Sequence, residues 1–338
     1  MLFKLNIHIL IAIILSCFTT SVFGTTQTLP EGIGSFTFGI SNIPVTHIGR
    51  DHSFTELTEY TLLGFEGIPL AESLTYKTYD MTFSYGVTDR FTIAIMLPIM
   101  EGEAVFSDAF IATVTALNSD LLKIPPKTAK AQAIGNLTLG FKVRFKDHFA
   151  LAGGVSAGFL KTGRHGLKIS EAKNRFLELP TAESGDVYNL AVLYDLSVLK
   201  QIYEFQIGFQ HTTPSYENIF DNQFFKNTGD TVALSILTTL PLSKKLSFSL
   251  GVTQLLAFPD QKQEGDGSWA TIPNSGTNAL VGNLKLTYMP YVFTIFDIAY
   301  KPTLNHGATN GVYEFPGRFH TPGVVTFSGT ILFPIKQK

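Results

Sequence analysis

The clearest pattern in the chain is an alternation of apolar and polar residues over two neighbouring segments. Every second residue from Tyr79 to Val87 is apolar, and after a turn at Thr88-Asp89 the alternation resumes from Phe91 to Ile99. Because successive side chains of a β-strand point to opposite faces, a period of two predicts a strand with one apolar face. The two segments therefore predict a long β-hairpin.

The same hairpin pattern recurs four more times along the chain. The predicted short turns lie at 147–148, 199–201, 241–245 and 289–291, and two single strands are predicted near 36–40 and 325–333. The five short turns alternate with six longer links, at 48–75, 100–133, 161–185, 214–229, 259–276 and 303–321. The pattern thus predicts about twelve strands, joined in turn by short and long connections.

These features are typical of one membrane architecture. Strands of about ten residues in even number, with short periplasmic turns and long external loops, characterise transmembrane β-barrels. The chain is therefore predicted to be all-β, a transmembrane antiparallel β-barrel of about twelve strands that occupies residues 25–338 as a single domain. A soluble β-sandwich also alternates, but here the second face carries Gly, Ser, Thr and charged residues and leaves no apolar layer for a soluble core.

The N-terminus has the features of an export signal. Lys4 precedes an apolar run from Leu5 to Phe18, and small or aliphatic residues follow up to Gly24. This arrangement predicts a signal peptide at 1–24 with cleavage near Gly24, and delivery to the outer membrane of a Gram-negative-type cell. Cys17, the only cysteine, gives an alternative, because Ile14-Leu15-Ser16-Cys17 is similar to a lipoprotein acylation site.

Composition supports an apolar environment and excludes one class of partner. Charged residues make up only 15% of the chain, whereas Phe is present 29 times and Tyr 12 times. Loss of Lys4 with the signal peptide leaves 24 basic residues against 27 acidic ones. Without a basic excess, nucleic acid is not an expected partner. The expected partners are outer-membrane lipid, the barrel-assembly machinery and a small hydrophobic solute.

Two motifs carry a family resemblance. Tyr85-Gly86-Val87-Thr88-Asp89-Arg90-Phe91, followed by Leu97-Pro98, resembles the first periplasmic hairpin of the outer-membrane family named after the meta-pathway of phenol degradation. Ile134-Gly135-Asn136-Leu137-Thr138-Leu139-Gly140 is similar to the next strand of that family, in which Asp is more usual at the position of Asn136. The resemblance implies a transporter of hydrophobic or aromatic compounds, related in role to long-chain fatty-acid channels. One departure is that five residues follow Phe333, whereas a barrel's last strand usually ends the chain on Phe.

Charged and amide side chains on the face opposite the apolar one are the candidates for lining the lumen. They are Asp80, Lys142, Arg144, Asp195, Glu204, Gln206, Lys285, Asp297 and Lys301. Because both signs of charge are present, the set predicts either a salt-bridged plug or a narrow hydrated path.

One long link contains a second candidate site. Phe110, Val114, Leu117 and Leu121 recur at helical spacing between Ser107 and Leu122, which predicts a short amphipathic helix. Such a helix either packs on the rim of the barrel or collects apolar substrate at its mouth.

Enzymatic and metal chemistry have little support, and no catalytic residue, metal or cofactor is expected. His211 and Thr213 lie two apart, as in a lipid-hydrolysing barrel, but threonine stands where a serine nucleophile is needed. The acidic segment that begins at Asp260 lacks the closing ligand of a calcium loop. The leading hypothesis is a passive channel for small hydrophobic compounds, and the alternative is a non-conducting structural or adhesive barrel that acts through its loops.

Overall fold

A computed structural model describes residues 26–50, 53–56, 58–59, 67–116, 126–157, 167–170, 186–219, 222–263, 267–271, 276–308 and 318–335. The predicted signal peptide and Cys17 lie outside these residues. So do Leu117 and Leu121 of the predicted loop helix.

The described chain is built from strands and one helix. Their order is β1 (Ile33–Val45), β2 (His47–Arg50), β3 (Ser53–Glu56), β4 (Ala71–Thr88), β5 (Phe91–Phe106), α1 (Asp108–Ala116), β6 (Thr128–Ile134), β7 (Leu137–Lys146), β8 (Phe149–Ala157), β9 (Leu167–Ser170), β10 (Val187–Val198), β11 (Gln201–Thr212), β12 (Ser215–Ile219), β13 (Asn222–Asn227), β14 (Thr231–Pro241), β15 (Leu246–Ala257), β16 (Gln261–Gln263), β17 (Trp269–Thr271), β18 (Thr277–Tyr291), β19 (Thr294–Ala308), β20 (Arg318–His320) and β21 (Gly323–Pro334). None of the described residues forms a helix that is long and apolar enough to cross a membrane.

Twelve strands close into a barrel. Their order around the ring is β4, β1, β21, β19, β18, β15, β14, β11, β10, β8, β7 and β5, and β5 pairs back onto β4. Each neighbouring pair is antiparallel, and the first and last strands meet where Phe36 lies opposite Ile331. The predicted closed barrel of twelve antiparallel strands is therefore confirmed. We call the end that carries the short turns the periplasmic end.

The outer surface of the barrel is apolar. Ile207 on β11, Leu250 on β15 and Phe327 on β21 are each more than half exposed. Near the periplasmic turns, the rings of Phe149 and Tyr194 lie with centroids 4.7 Å apart, and Phe145 and Phe205 extend this aromatic row on either side. An apolar band with aromatic side chains at its edge suits the contact between a barrel and lipid.

Several strands are longer than the alternation predicts. β4 begins at Ala71 and β5 continues to Phe106, so that both extend into links predicted as loops. β6 also pairs with β5, and a short interruption at 135–136 separates it from β7. Other parts of the long links form small sheets, β12-β13-β16-β17 and β20-β2-β3. The described part of the external region therefore contains paired strands where the sequence predicted loops.

One predicted turn was wrong. The last hairpin turns at Val292-Phe293, and Met289 to Tyr291 still belong to β18. A register shift between Tyr288 and Tyr291 explains the difference, because a bulge moves the turn without ending the strand.

The β10–β11 turn contains two non-glycine residues with positive φ angles. Leu199 and Lys200 have φ values of 49° and 69°, in the left-handed region. Two successive residues with positive φ match the two-residue hairpin turn that best fits the twist of the strands, a turn that usually carries Asn and Gly. Neither residue is favoured there, so the turn stores strain.

Candidate functional site

The interior face of the barrel is rich in hydroxyl groups because Ser and Thr occupy the inward positions of β1, β21, β14 and β15. These hydroxyls pair across neighbouring strands at oxygen–oxygen distances of 2.8 to 2.9 Å. The pairs are Thr37–Thr330, Ser41–Thr326, Ser235–Thr253 and Thr239–Ser249. In such a pair one hydroxyl donates, and the other keeps a proton that can be donated elsewhere.

A cavity of about 500 Å³ lies inside the barrel, bounded by these walls. Seven of the residues predicted to line the lumen contact it: Asp80, Lys142, Glu204, Gln206, Lys285, Asp297 and Lys301. Its volume falls within the range of about 300–1,000 Å³ that is usual for small-molecule sites. Apolar side chains, including Ile43, Met96 and Leu193, contribute to the same wall.

Buried apolar side chains continue from the cavity towards the external end. Val45 on β1, Tyr76 on β4 and Met100 on β5 share the inward face of their strands with cavity residues and are buried. Along β1, β4 and β5, the inward face is therefore rich in hydroxyl and carboxylate groups at the cavity and more apolar towards the external mouth.

The N-terminal segment, residues 26–32, enters the lumen from the periplasmic end. Thr26 is 1% exposed, and its hydroxyl donates a short hydrogen bond to the carboxylate of Asp195. Lys142 Nζ donates to the carbonyl oxygen of Gln27 at 3.1 Å, and an Arg144 guanidinium nitrogen donates to Gln27 Oε1 at 2.9 Å. Residues 26–29 thereby form the floor of the cavity.

The second half of the N-terminal segment is held by the β4–β5 hairpin. The backbone N–H of Leu29 donates to Thr92 Oγ1 at 2.8 Å, and that of Glu31 donates to Asp89 Oδ1 at 3.0 Å. The N–H of Gly32 donates to the carbonyl of Gly86 at 2.9 Å. These bonds fix the path of the chain before β1 begins.

Gly86 is the position at which the N-terminal segment approaches the wall most closely. A Cβ added to this glycine would lie 2.1 Å from the carbonyl oxygen of Pro30 and 2.6 Å from that of Leu29. Since both neighbours are backbone atoms, no side-chain rotation could relieve the overlap. A glycine in a strand interior often marks such a close approach.

Two predicted lumen residues hold the N-terminal segment instead of lining the cavity. Arg144 contacts Gln27, and Asp195 contacts Thr26. Oδ1 of Asp195 also lies 3.0 Å from Nδ1 of His148, a residue of the β7–β8 turn. The structure thus brings all nine predicted lumen residues to the interior, while their transport roles stay predictions.

The external link after β5 folds into helix α1, with Phe110 and Val114 buried. Ser107 caps the helix by accepting the N–H of Phe110 at 3.1 Å. Lys127 Nζ binds Asp108 at 2.8 Å and Glu72 at 2.6 Å, which joins the first turn of α1 to β4. Hydrogen bonds to Asp108 and then Glu72 raise the pKa of Lys127 above its ordinary value.

The side chains considered for lipid hydrolysis and calcium binding make structural contacts instead. His211 Nδ1 lies 2.7 Å from Asp230, and Thr213 Oγ1 accepts the N–H of Asp186 at 2.8 Å. Asp260 Oδ1 accepts the N–H of Gly229 at 2.8 Å, so this carboxylate joins the β15–β16 link to the β13–β14 link. Within the described residues, no group of three or more His, Cys, Asp or Glu side chains could hold a metal ion.

Sequence reasoning missed the N-terminal segment as part of the site. Residues 26–32 show no alternation and precede the first strand, so they carry no signal of their own. The pointer in the sequence was Gly86, a glycine at an inward position of β4.

A closed twelve-stranded wall, an apolar outer band and a partly polar, partly filled interior define a β-barrel of the outer-membrane type. Among solved structures, the chain is similar to the COG4313 outer membrane channel from Pseudomonas putida F1, with 12% identity over 92% of this chain and 98% of that chain and a TM-score of 0.62. At this identity the likeness establishes the fold.

Two further solved structures align with lower scores. The translocator domain of the autotransporter NalP from Neisseria meningitidis is 11% identical over 95% of each chain, with a TM-score of 0.47. The CymD monoaromatic hydrocarbon channel is 12% identical over 94% of this chain and 93% of that chain, with a TM-score of 0.45. No family model and no curated sequence matches, so membership of the phenol-degradation family stays a prediction.

Proposed function

We propose that the protein is a passive outer-membrane channel for small hydrophobic or aromatic compounds. The observation that carries this proposal is the cavity of about 500 Å³ inside a closed barrel. The channel described for the similar barrel of Pseudomonas putida F1 supports it further.

The cavity wall suits a solute that is mostly apolar. Met96, Leu193 and Leu237 line it together with the hydroxyl pairs. Apolar walls with a few placed polar groups are the usual composition of small-molecule sites. The N-terminal segment forms the floor of the cavity on its periplasmic side, and in this proposal the segment moves when a solute passes through the barrel.

Uptake by intact cells tests this function. Cells that express the full chain should accumulate radiolabelled toluene faster than cells without it. Cells that express Ala299→Trp should take it up more slowly, since Ala299 lines the cavity and an indole ring there would narrow it. Unboiled samples should show the shifted electrophoretic mobility of a closed barrel for both proteins. Equal uptake in all three strains would favour the non-conducting structural or adhesive barrel.

We also propose that signal peptidase removes residues 1–24 and that the barrel-assembly machinery then inserts the chain. Thr26 is buried in the lumen two residues after the expected cleavage point, where an attached apolar leader would have to share the space. The intact mass of the purified protein tests this, because acylation at Cys17 would instead leave a longer chain that carries lipid.

A further inference from the structure

The wall formed by β4, β1 and β21 contains an unusual arrangement of inward-facing residues. Gly39 lies opposite Asp80 on one side and Ser328 on the other. The rows on either side of Gly39 contain hydroxyl residues at every position: Thr82, Thr37 and Thr330 in one row, and Thr78, Ser41 and Thr326 in the other. We call these nine residues the Gly39 niche. Eight of them carry side-chain oxygen, and the central one has no side chain.

The centre of the Gly39 niche is open to the cavity. A Cβ added to Gly39 would meet nothing closer than Ser328 Cβ at 3.6 Å and the carbonyl oxygen of Phe327 at 3.8 Å. Close packing therefore does not require a glycine here, in contrast to Gly86. All nine residues of the niche line the cavity. The missing side chain leaves a recess in a wall that is otherwise covered by hydroxyl groups.

Asp80 supplies an acceptor for which the described residues provide no hydrogen-bond partner. Its Oδ2 accepts a long hydrogen bond of 3.4 Å from Thr78, whereas its Oδ1 is buried and has no partner in the described part of the chain. A buried acceptor without a partner is costly, by about 1–3 kcal/mol, and such groups often bind water, an ion or a ligand. By contrast, Asp297, on the neighbouring strand β19, accepts a hydrogen bond of 2.5 Å from Thr287.

The adjacent wall is apolar. On β5, Met96 lies opposite Thr82 and Ala94 lies opposite Ser84, and both line the cavity. Ile43 follows Ser41 on the inward face of β1. A solute at the niche would therefore meet oxygen atoms on one side and carbon atoms on the other.

We propose that the Gly39 niche binds the head group of a small amphiphilic solute, and that this head group is a hydrogen-bond donor, either an amine or a hydroxyl. The apolar body of the solute then lies along Ala94 and Met96. This inference rests on the proposed channel function and narrows its substrate class from hydrocarbons in general to amphiphiles with a donor group. The head group donates a hydrogen bond to the carboxylate of Asp80, and the surrounding Ser and Thr oxygens accept hydrogen bonds from any remaining donor hydrogens. An anionic head group is disfavoured at the niche, because the niche holds a carboxylate, whereas the three lysines of the cavity wall, Lys142, Lys285 and Lys301, lie outside it.

Four one-ring compounds of similar size separate the possibilities: 2-phenylethylamine, 2-phenylethanol, phenylacetate and ethylbenzene. Their binding to the detergent-solubilised full chain is measured by saturation-transfer difference NMR and calorimetry. The amine or the alcohol should bind most tightly, with phenylacetate and ethylbenzene weaker by about tenfold, the effect of one hydrogen bond to a charged group. Ethylbenzene or phenylacetate binding as tightly as both donors would overturn the proposal.

Two variants and one control test the location. Asp80→Asn should weaken binding of the preferred donor by about tenfold and leave ethylbenzene unchanged. Gly39→Thr should fill the recess and abolish the preference for donors. Gly208→Thr is the control, because Gly208 also faces inward with nothing closer than 3.6 Å around an added Cβ but does not line the cavity. Heat-modifiable mobility confirms that each variant is folded.

The outcomes separate this proposal from the channel function itself. If cells take up toluene but neither donor is preferred, or both niche variants bind like the original chain, the Gly39 niche is not a head-group site and the channel function stands. If none of the four compounds binds and uptake does not depend on the protein, the channel function fails and the niche proposal fails with it.

Discussion

Replacement of Gly86 by alanine tests whether the N-terminal segment, which forms the floor of the cavity, limits passage through the lumen. The added Cβ would stand 2.1 Å from the Pro30 carbonyl oxygen, whereas ordinary contact begins near 3.4 Å. The N-terminal segment must therefore shift by about 1 Å or leave its place. The strand itself tolerates alanine, because alanine is compatible with extended backbone.

The expected size of the effect follows from the bonds next to the overlap. A shift of this kind disrupts the hydrogen bonds from the N–H groups of Leu29, Glu31 and Gly32. At about 1 kcal/mol net for each bond, the docked form loses about 3 kcal/mol, which changes the ratio of docked to undocked molecules by about a hundredfold.

Single-channel recording in planar bilayers measures this change. Gly86→Ala should conduct in longer or more frequent openings than the original chain. Gly208→Ala should behave like the original chain, since its added Cβ meets nothing closer than 3.6 Å. If Gly86→Ala forms a normal heat-modifiable barrel with unaltered currents, the N-terminal segment does not control the aqueous path, and the reasoning is refuted.

Three further predictions concern the wall and the external link. Substitution of Leu199 by Asn together with Lys200 by Gly should raise the free energy of unfolding by about 1–2 kcal/mol, because it removes strain from two left-handed residues. Urea titration in lipid vesicles measures this free energy, and no gain in stability would contradict the turn assignment. Ile207→Arg, at a lipid-facing position that is 60% exposed, should lower the free energy of unfolding by about 2–4 kcal/mol. An unchanged midpoint of the urea titration would argue against lipid contact at this position. The hydrogen bond from Lys127 to Asp108 should protect α1 from limited proteolysis fully below the ordinary lysine pKa, and this protection should be lost as pH rises through the raised pKa of Lys127. In Lys127→Met, cleavage of α1 should no longer depend on pH in this range.

The wall of the barrel could be predicted because lipid and lumen impose opposite requirements on alternate residues. In β11, the outward Phe205, Ile207 and Phe209 alternate with the inward Glu204, Gln206 and Gly208, and the structure preserves that division. The turn after β18 was misplaced because a bulge adds residues without changing the apolar character of the segment. Periodicity identifies the face of a strand better than its end.

The interior was only partly predictable. Alternation assigned Asp80 and Glu204 to the lumen, but it could not show that Asp80 Oδ1 lacks a hydrogen-bond partner among the described residues or that Gly39 leaves a recess beside it. Those facts depend on the register between β4, β1 and β21, strands far apart in sequence. The N-terminal segment escaped prediction for a similar reason, since residues such as Thr26 and Gln27 become informative only when Asp195 and Arg144 are brought to them.

The partners of the N-terminal segment bear on the order in which the barrel can form. Its side-chain and most of its backbone hydrogen bonds reach the β4–β5 hairpin, β7 and β10, which precede β11 in the chain. The exception is the carbonyl of Gly32, at the end of the segment, which accepts the N–H of Ile335 beside the closing seam. The wall closes only when β21, the last strand, pairs with β1. The segment can therefore dock onto an incomplete, open sheet and need not be threaded into a finished cylinder. Closure of the seam would then enclose a floor that is already in place.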